Sequence, residues 1–234
     1  MRLLAAVLLI AALLPAKRAA ADERYYALFF AHQTPSWRAE GSHTYVEFIR
    51  AEASAGAPPI ILQRDTISWL PRDGRMRLLA AHPEEGRNAS LEETLQLAGC
   101  RRVSAWGPYE LTPCAYQKAI QRKAELDSGV IGYKAAVVVP FRGRRVANCV
   151  HAPGEIEPNQ GRELQFQLQY GDNAACQLVR HYVKRGYLCN PHLPHDDVYV
   201  ALGLEGRDIR RRNDWDRSVL GLVGARSSSI GSIR

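Results

Sequence analysis

The residues of this chain best suited to covalent chemistry are a cysteine and a histidine. Cys149 lies in the stretch Val146-Ala147-Asn148-Cys149-Val150-His151, and His43 in Ser42-His43-Thr44-Tyr45-Val46. A thiol becomes a nucleophile when its proton is easily lost. A helix N-terminus and a nearby imidazole both favour that loss, and a third polar group must hold the imidazole in place. Asn148 is a favourable N-cap residue, so Cys149 is expected in the first turn of a helix. There, backbone N–H groups stabilise both a thiolate and an oxyanion. Pro153 works against a long helix, because it lacks the N–H that should bond the Cys149 carbonyl and presses against that carbonyl. Any helix here is expected to be short, kinked or absent. His151 is a second imidazole near the thiol, but on a helix residues two apart point to nearly opposite sides. It would share a face with Cys149 only in extended structure.

The cysteine count bears on which thiol is spare. The chain has 234 residues and five cysteines. Its start reads as a secretory signal peptide over residues 1–21: Arg2, the apolar run Leu3 to Leu14, then Ala19-Ala20-Ala21 before Asp22. The run is shorter than the roughly 20 residues a membrane-spanning helix needs, and Lys17-Arg18 could instead anchor an uncleaved segment at a membrane surface. Cleavage near Ala21 predicts an extracytoplasmic protein with no membrane span. In an oxidising compartment five cysteines leave at least one unpaired. Pairing Cys100 with Cys114 and Cys176 with Cys189 closes loops of similar length, each worth roughly 3 kcal/mol in the chain-entropy model. Cys149 is then the free thiol.

Composition excludes little else. Removing the signal takes Arg2, Lys17 and Arg18 from a formal net charge of +7, leaving a mildly basic +4. The basic residues Arg142, Arg144, Arg145 and those from Arg207 to Arg212 are not interleaved with aromatics, so no nucleic-acid partner is expected. His192, His195, Asp196 and Asp197 are metal-ligand types in a proline-containing loop. No HExxH or CxxC spacing accompanies them, and neither a metal nor another cofactor is expected. Asn88-Ala89-Ser90 fits a glycosylation acceptor in a eukaryotic secretory pathway and is otherwise the start of a helix. Residues 22–225 are expected to form one domain, and 226–234 a disordered small, polar tail.

The elements that must position the two reactive residues are legible in part. Tyr25 to Phe30 reads as a buried strand. Ser42 to Ile49 alternates, with Thr44, Val46 and Phe48 on one face and His43, Tyr45 and Glu47 on the other, and His43 is expected at an exposed edge. Ala51 to Pro59 reads as a turn region and Ile60 to Leu70 as a strand, the pair making an antiparallel hairpin. Ser90 with Glu93 forms a capping box for a helix ending at Gly99. Thr112-Pro113 opens a second helix, stopped by Gly129. Asp172 or Asn173 caps a third, ended by Gly186. Val103 to Trp106, Ala135 to Phe141 and Val198 to Leu202 read as strands. The mixture lacks a regular βαβ rhythm and predicts an α+β fold, a mainly antiparallel sheet packed against about three helices.

The order of these pieces resembles a known family. A histidine strand at Ser42-His43-Thr44-Tyr45-Val46, a second strand, a helix running to Tyr133-Lys134-Ala135, and then Asn148-Cys149-Val150-His151-Ala152 are similar to the circularly permuted NlpC-type members of the papain-like superfamily, relatives of lecithin retinol acyltransferase. The resemblance spans about residues 25–152. It implies a small antiparallel sheet on helices, and peptidase, amidase or acyltransferase chemistry with Cys149 as nucleophile and His43 as base. It also implies a polar third residue on the strand after the histidine strand. Glu47 is a poor orienter: four residues along the same strand puts it on the order of 13 Å away. A hairpin centred near Ala55 sets His43 opposite Ile67 and brings Asp65, Thr66 and Ser68 close. Asp65 is the first choice, because a carboxylate best stabilises an imidazolium. Ser68 is the second.

Two functional classes follow. One is an exported thiol-dependent hydrolase or acyltransferase acting on an amide or ester, its substrate a small peptide, cell-wall fragment or lipid, with Tyr133 lining the site. The other is a non-catalytic extracytoplasmic α+β domain that binds a partner or surface.

Overall fold

In the computed structural model, residues 22–34, 41–54, 56–78, 80–136, 145–157 and 171–216 are described. The leader, the tail and most of the strand expected at Ala135 to Phe141 lie outside them. The fold is α+β, with two sheets that are mostly antiparallel. Among the described residues no helix is long and apolar enough to cross a membrane.

The larger sheet is built on the apolar run that begins at Tyr25. β1 (Asp22–Gln33) lies between β2 (His43–Ser54) and β6 (Arg102–Leu111), with β3 (Ala57–Ile67) beyond β2 and β9 (Ile209–Arg212) beyond β6. All pairings are antiparallel except β6 with β9. A strand reads as continuously apolar when both its faces are covered, and here both are. One face packs Phe29, Val46, Phe48 and Trp106 against α2 (Pro113–Asp127) and α4 (Gly171–Lys184). The other packs Leu28, Phe30, Tyr45 and Ile49 against α1 (Leu91–Ala98) and α5 (Asp196–Ala201). The face of β2 that carries His43, Tyr45 and Glu47 is therefore core, and His43, expected at an exposed edge, is 2% exposed.

The smaller sheet runs β4 (Trp69–Pro71), β5 (Glu84–Asn88), β7 (Ile131–Tyr133) and β8 (Arg145–Ala147). It delivers the chain directly into the turn that holds Cys149. That turn continues into α3 (His151–Gly154), only four residues long.

The caps of α1 and α2 form as the sequence predicts, whereas Asp172 and Asn173, expected to cap α4, lie inside it because the helix already begins at Gly171. Ser90 accepts from the Glu93 amide, Thr112 accepts from the Ala115 amide with Pro113 at the first helical position, and Gly99, Gly129 and Gly186 follow the helix ends with positive φ. Three expectations need correction. Ala51 to Pro59 is strand on both sides of a tight turn at Gly56 (φ 79°), whose left-handed backbone glycine adopts without strain. Val198 to Ala201 is helical, with Leu202 at the C-cap: its β-branched residues suggested a strand, but Asp196 and Asp197 occupy a first helical turn and the Tyr199 amide bonds the His195 carbonyl. The disulfides are absent, all five cysteines being free. Cys100 and Cys114 flank β6, whose ten residues separate them by roughly 30 Å at 3.3 Å per residue. Cys176 is buried on α4 while Cys189 is exposed.

Candidate functional site

Three segments meet around the first residues of β2. His43 is the first residue of that strand, opposite His32 of β1, with the two rings 5.5 Å apart. Its ring stacks on Tyr45 at 5.4 Å, and Tyr45 stacks on Phe30 at 5.0 Å. This aromatic column fixes the imidazole plane. His43 Nε2 lies 2.8 Å from Ser68 Oγ, and Ser68 Oγ lies 2.8 Å from Thr94 Oγ1 on α1. His43 Nδ1 is buried and has no hydrogen-bond partner.

The residue that meets the imidazole is thus Ser68, the second choice, and not Asp65. The β2–β3 ladder is shifted by irregularities between Arg50 and Ala51 and between Glu52 and Ser54, so Ile67 pairs with Val46 and not with His43. Asp65 then lies opposite Phe48, where it accepts a hydrogen bond from Gln63 Nε2 at 2.6 Å. Ser68 stands at the break between β3 and β4, where the chain leaves one sheet for the other. Glu47 is buried and held by Arg64, at 2.8 Å, and by the Thr66 hydroxyl, away from the imidazole.

Cys149 arrives from the other side. Asn148 Oδ1 accepts from the amides of Val150 and His151, both at 2.9 Å, and contacts His151 Nδ1 at 2.7 Å. The asparagine caps the turn and locks His151 against itself, but Cys149, expected in the first turn of a helix, lies in the turn before α3, which starts only at His151. His151 is therefore a fixture of the turn, its pKa lowered to about 4 by burial and then by Arg122. α3 is a single turn that contains Pro153. Two of its carbonyls are met by neighbours: Tyr182 Oη donates to the Pro153 carbonyl at 2.7 Å, and Arg122 Nε to the Ala152 carbonyl at 3.2 Å. Removing the first of these in Tyr182→Phe leaves a buried carbonyl unsatisfied. It should cost about 1–3 kcal/mol, read as a lower urea midpoint with an unchanged m-value.

The backbone amides of Thr44 and of Cys149 itself are close enough to the sulfur to favour its thiolate. The structure thus places Cys149 near Thr44, the residue that follows His43, while His43 Nδ1 makes no hydrogen bond to the sulfur. Burial raises the thiol pKa despite the two amides, and burial followed by the charge of His32 lowers that of His43. At rest both partners are neutral. Tyr133, fully buried with an unpartnered hydroxyl, lies beside the thiol, whose proximity adds to the effect of burial in raising the tyrosine pKa.

Two of these residues carry weaker sequence signals. His32 ends the apolar β1 run without a motif, and Thr94 is an unremarkable helix residue. Only the fold sets His32 opposite His43 and Thr94 against Ser68. The His192 to Asp197 group does not converge: His192 stacks on Trp215 at 5.0 Å, His195 meets the edge of Tyr26, and Asp196 pairs with Arg211 at 2.6 Å. Comparison with family models, with characterised proteins and with solved structures finds no match for this chain.

Proposed function

We propose that the chain is a thiol-dependent hydrolase or acyltransferase acting on an amide or ester, outside the cytoplasm. What supports this reading is the approach of the Cys149 thiol to the Thr44 amide, next in sequence to His43, whose imidazole meets Ser68 at Nε2 and has a bare Nδ1. In this reading Cys149 Sγ attacks the carbonyl carbon while its proton passes to His43 Nδ1. The Cys149 amide, already directed at the sulfur, stabilises the developing oxyanion. His43 returns the proton to the leaving amine or alcohol, and a thioester remains on Cys149. Water or an acyl acceptor then releases the product. The order of histidine strand before cysteine turn agrees with the permuted papain-like resemblance. The substrate class proposed is a small peptide, cell-wall fragment or lipid.

The test uses p-nitrophenyl acyl esters on a protein in which the exposed Cys100, Cys114 and Cys189 are replaced by serine. Cys176 stays buried and should remain unmodified until the chain is unfolded. The expected result is a burst of p-nitrophenolate with one acyl group recovered on Cys149 by peptide mass mapping. Acylation of Cys149 no faster in the folded protein than in urea would refute the proposal.

A further inference from the structure

The polar atoms behind His43 form a chain whose proton positions can be deduced. Thr94 Oγ1 lies 2.7 Å from the Ser90 carbonyl oxygen and 2.8 Å from Ser68 Oγ, which in turn lies 2.8 Å from His43 Nε2. Thr94 and Ser68 have no solvent exposure and His43 has 2%, so no solvent competes for these contacts. A carbonyl oxygen only accepts, and two oxygens 2.7 Å apart with no proton between them repel. The proton between Thr94 and Ser90 is therefore that of Thr94, the usual back-bond of a helical threonine to the carbonyl four residues earlier. Thr94 has no second proton, so the one between Thr94 and Ser68 belongs to Ser68. The one between Ser68 and His43 then belongs to His43 Nε2. The reverse polarity would place an N–H on His43 Nδ1, buried with no acceptor, and orphaned buried N–H groups are rare.

We infer that Thr94 is a positioning residue that, through Ser68, fixes His43 in the tautomer protonated at Nε2, leaving Nδ1 as the base. This role rests on the reading of His43 as the base for Cys149. A hydroxyl by itself tolerates either tautomer, since it both donates and accepts. Ser68 alone therefore does not choose; the helix carbonyl of Ser90, reached through Thr94, makes the choice. The device replaces the carboxylate that usually performs this task.

The test is long-range 15N–1H correlation of the imidazoles in the full chain labelled at histidine, at pH 7.5, with acyl transfer measured alongside. The wild type should show His43 protonated at Nε2. In Thr94→Val, which keeps the branched shape but removes the hydroxyl, the Ser68 proton is free to turn to Nε2, so the Nε2-protonated form loses its advantage and the Nδ1-protonated form becomes a measurable share. Acyl transfer to Cys149 then falls in proportion to the Nε2-protonated share. Thr94→Ser should restore both. A role in packing alone predicts no change of tautomer. The same tautomer shift is expected in a Cys149→Ala background, where no acyl transfer occurs, so the signature is independent of nucleophile chemistry. Wild-type His43 protonated at Nδ1, or a Thr94→Val protein that keeps the Nε2 form, overturns the inference. A wild type inert to acyl esters yet showing both tautomer results overturns the hydrolase reading instead.

Discussion

In His43→Gln, acyl transfer to Cys149 falls by about 10²- to 10⁴-fold, the usual worth of a positioned general base. Glutamine is close to histidine in size and its side-chain amide still reaches toward Ser68, so the core around Tyr45 and Phe30 is kept, but it has no basic nitrogen. The loss should be nearly all in the acylation rate, with the thermal midpoint little changed. The pH profile of the wild type gives a second check. Burial and the nearby His32 hold the His43 pKa well below its ordinary 6.5, so the base stays unprotonated through neutral pH and the rate should be flat from pH 8 down past 6.5. A rate that halves near 6.5 would mean an imidazole in contact with water and would contradict the buried geometry. The raised thiol pKa of Cys149 has a related consequence. Because the resting pair is neutral, proton transfer accompanies attack. Simple alkylating agents, which need a preformed thiolate, should discriminate Cys149 from the exposed cysteines less sharply than acyl esters do.

What the sequence revealed of this site follows from how local each determinant is. The Asn148 cap and the shortness of the helix at Pro153 depend on a few consecutive residues, and both are as expected. The strand carrying His43 and the strand leading to Ser68 were legible from alternation and β-branched content. Their register was not, because two irregularities in the β2–β3 ladder slide Asp65 away and leave Ser68 at the break. A hairpin centre estimated from a turn region cannot include bulges that arise from packing. The burial of the His43 face was missed for a similar reason. Alternating polar residues on β2 suggested solvent, whereas α1 and α5 cover that face, with Glu47 held by Arg64 and Thr66 of β3. The proposed disulfides failed because loop length was counted without the strand that keeps Cys100 and Cys114 apart. Thr94 shows the limit most clearly: its importance comes from one contact, with Ser68, across 26 residues of sequence.

The turn holding Cys149 also carries a charge that the fold tolerates poorly. Glu155 follows α3, and its Oε2 lies 3.6 Å from the buried Arg122 Nη2. Burial raises its pKa from 4.5 to about 7, with Arg122 and then Arg145 pulling in the opposite direction. The native state therefore holds a proton between pH 4.5 and 7 that the unfolded chain has already lost. The associated stability is fully present below 4.5 and disappears as pH rises through 7. At 1.36 kcal/mol per pH unit, that interval corresponds to about 3 kcal/mol. Glu155→Gln mimics the protonated form, and Arg122 keeps Glu125 as a partner at 3.3 Å. The variant should match the wild type near pH 4.5 and exceed it by about 3 kcal/mol at pH 8, measured by urea unfolding at a series of pH values. His32 and His151 act with the opposite sign. Their pKa values near 4 mean stability present above 6.5 and lost as pH falls toward 4. Both contribute equally to wild type and variant, so the difference between the two curves isolates Glu155. A difference that does not change with pH would show that the carboxylate is solvated and that the α3 turn carries no such cost. A rising difference would show a protein that gives up stability at neutral pH in the segment that presents its thiol, as expected where a site is shaped for chemistry rather than for stability.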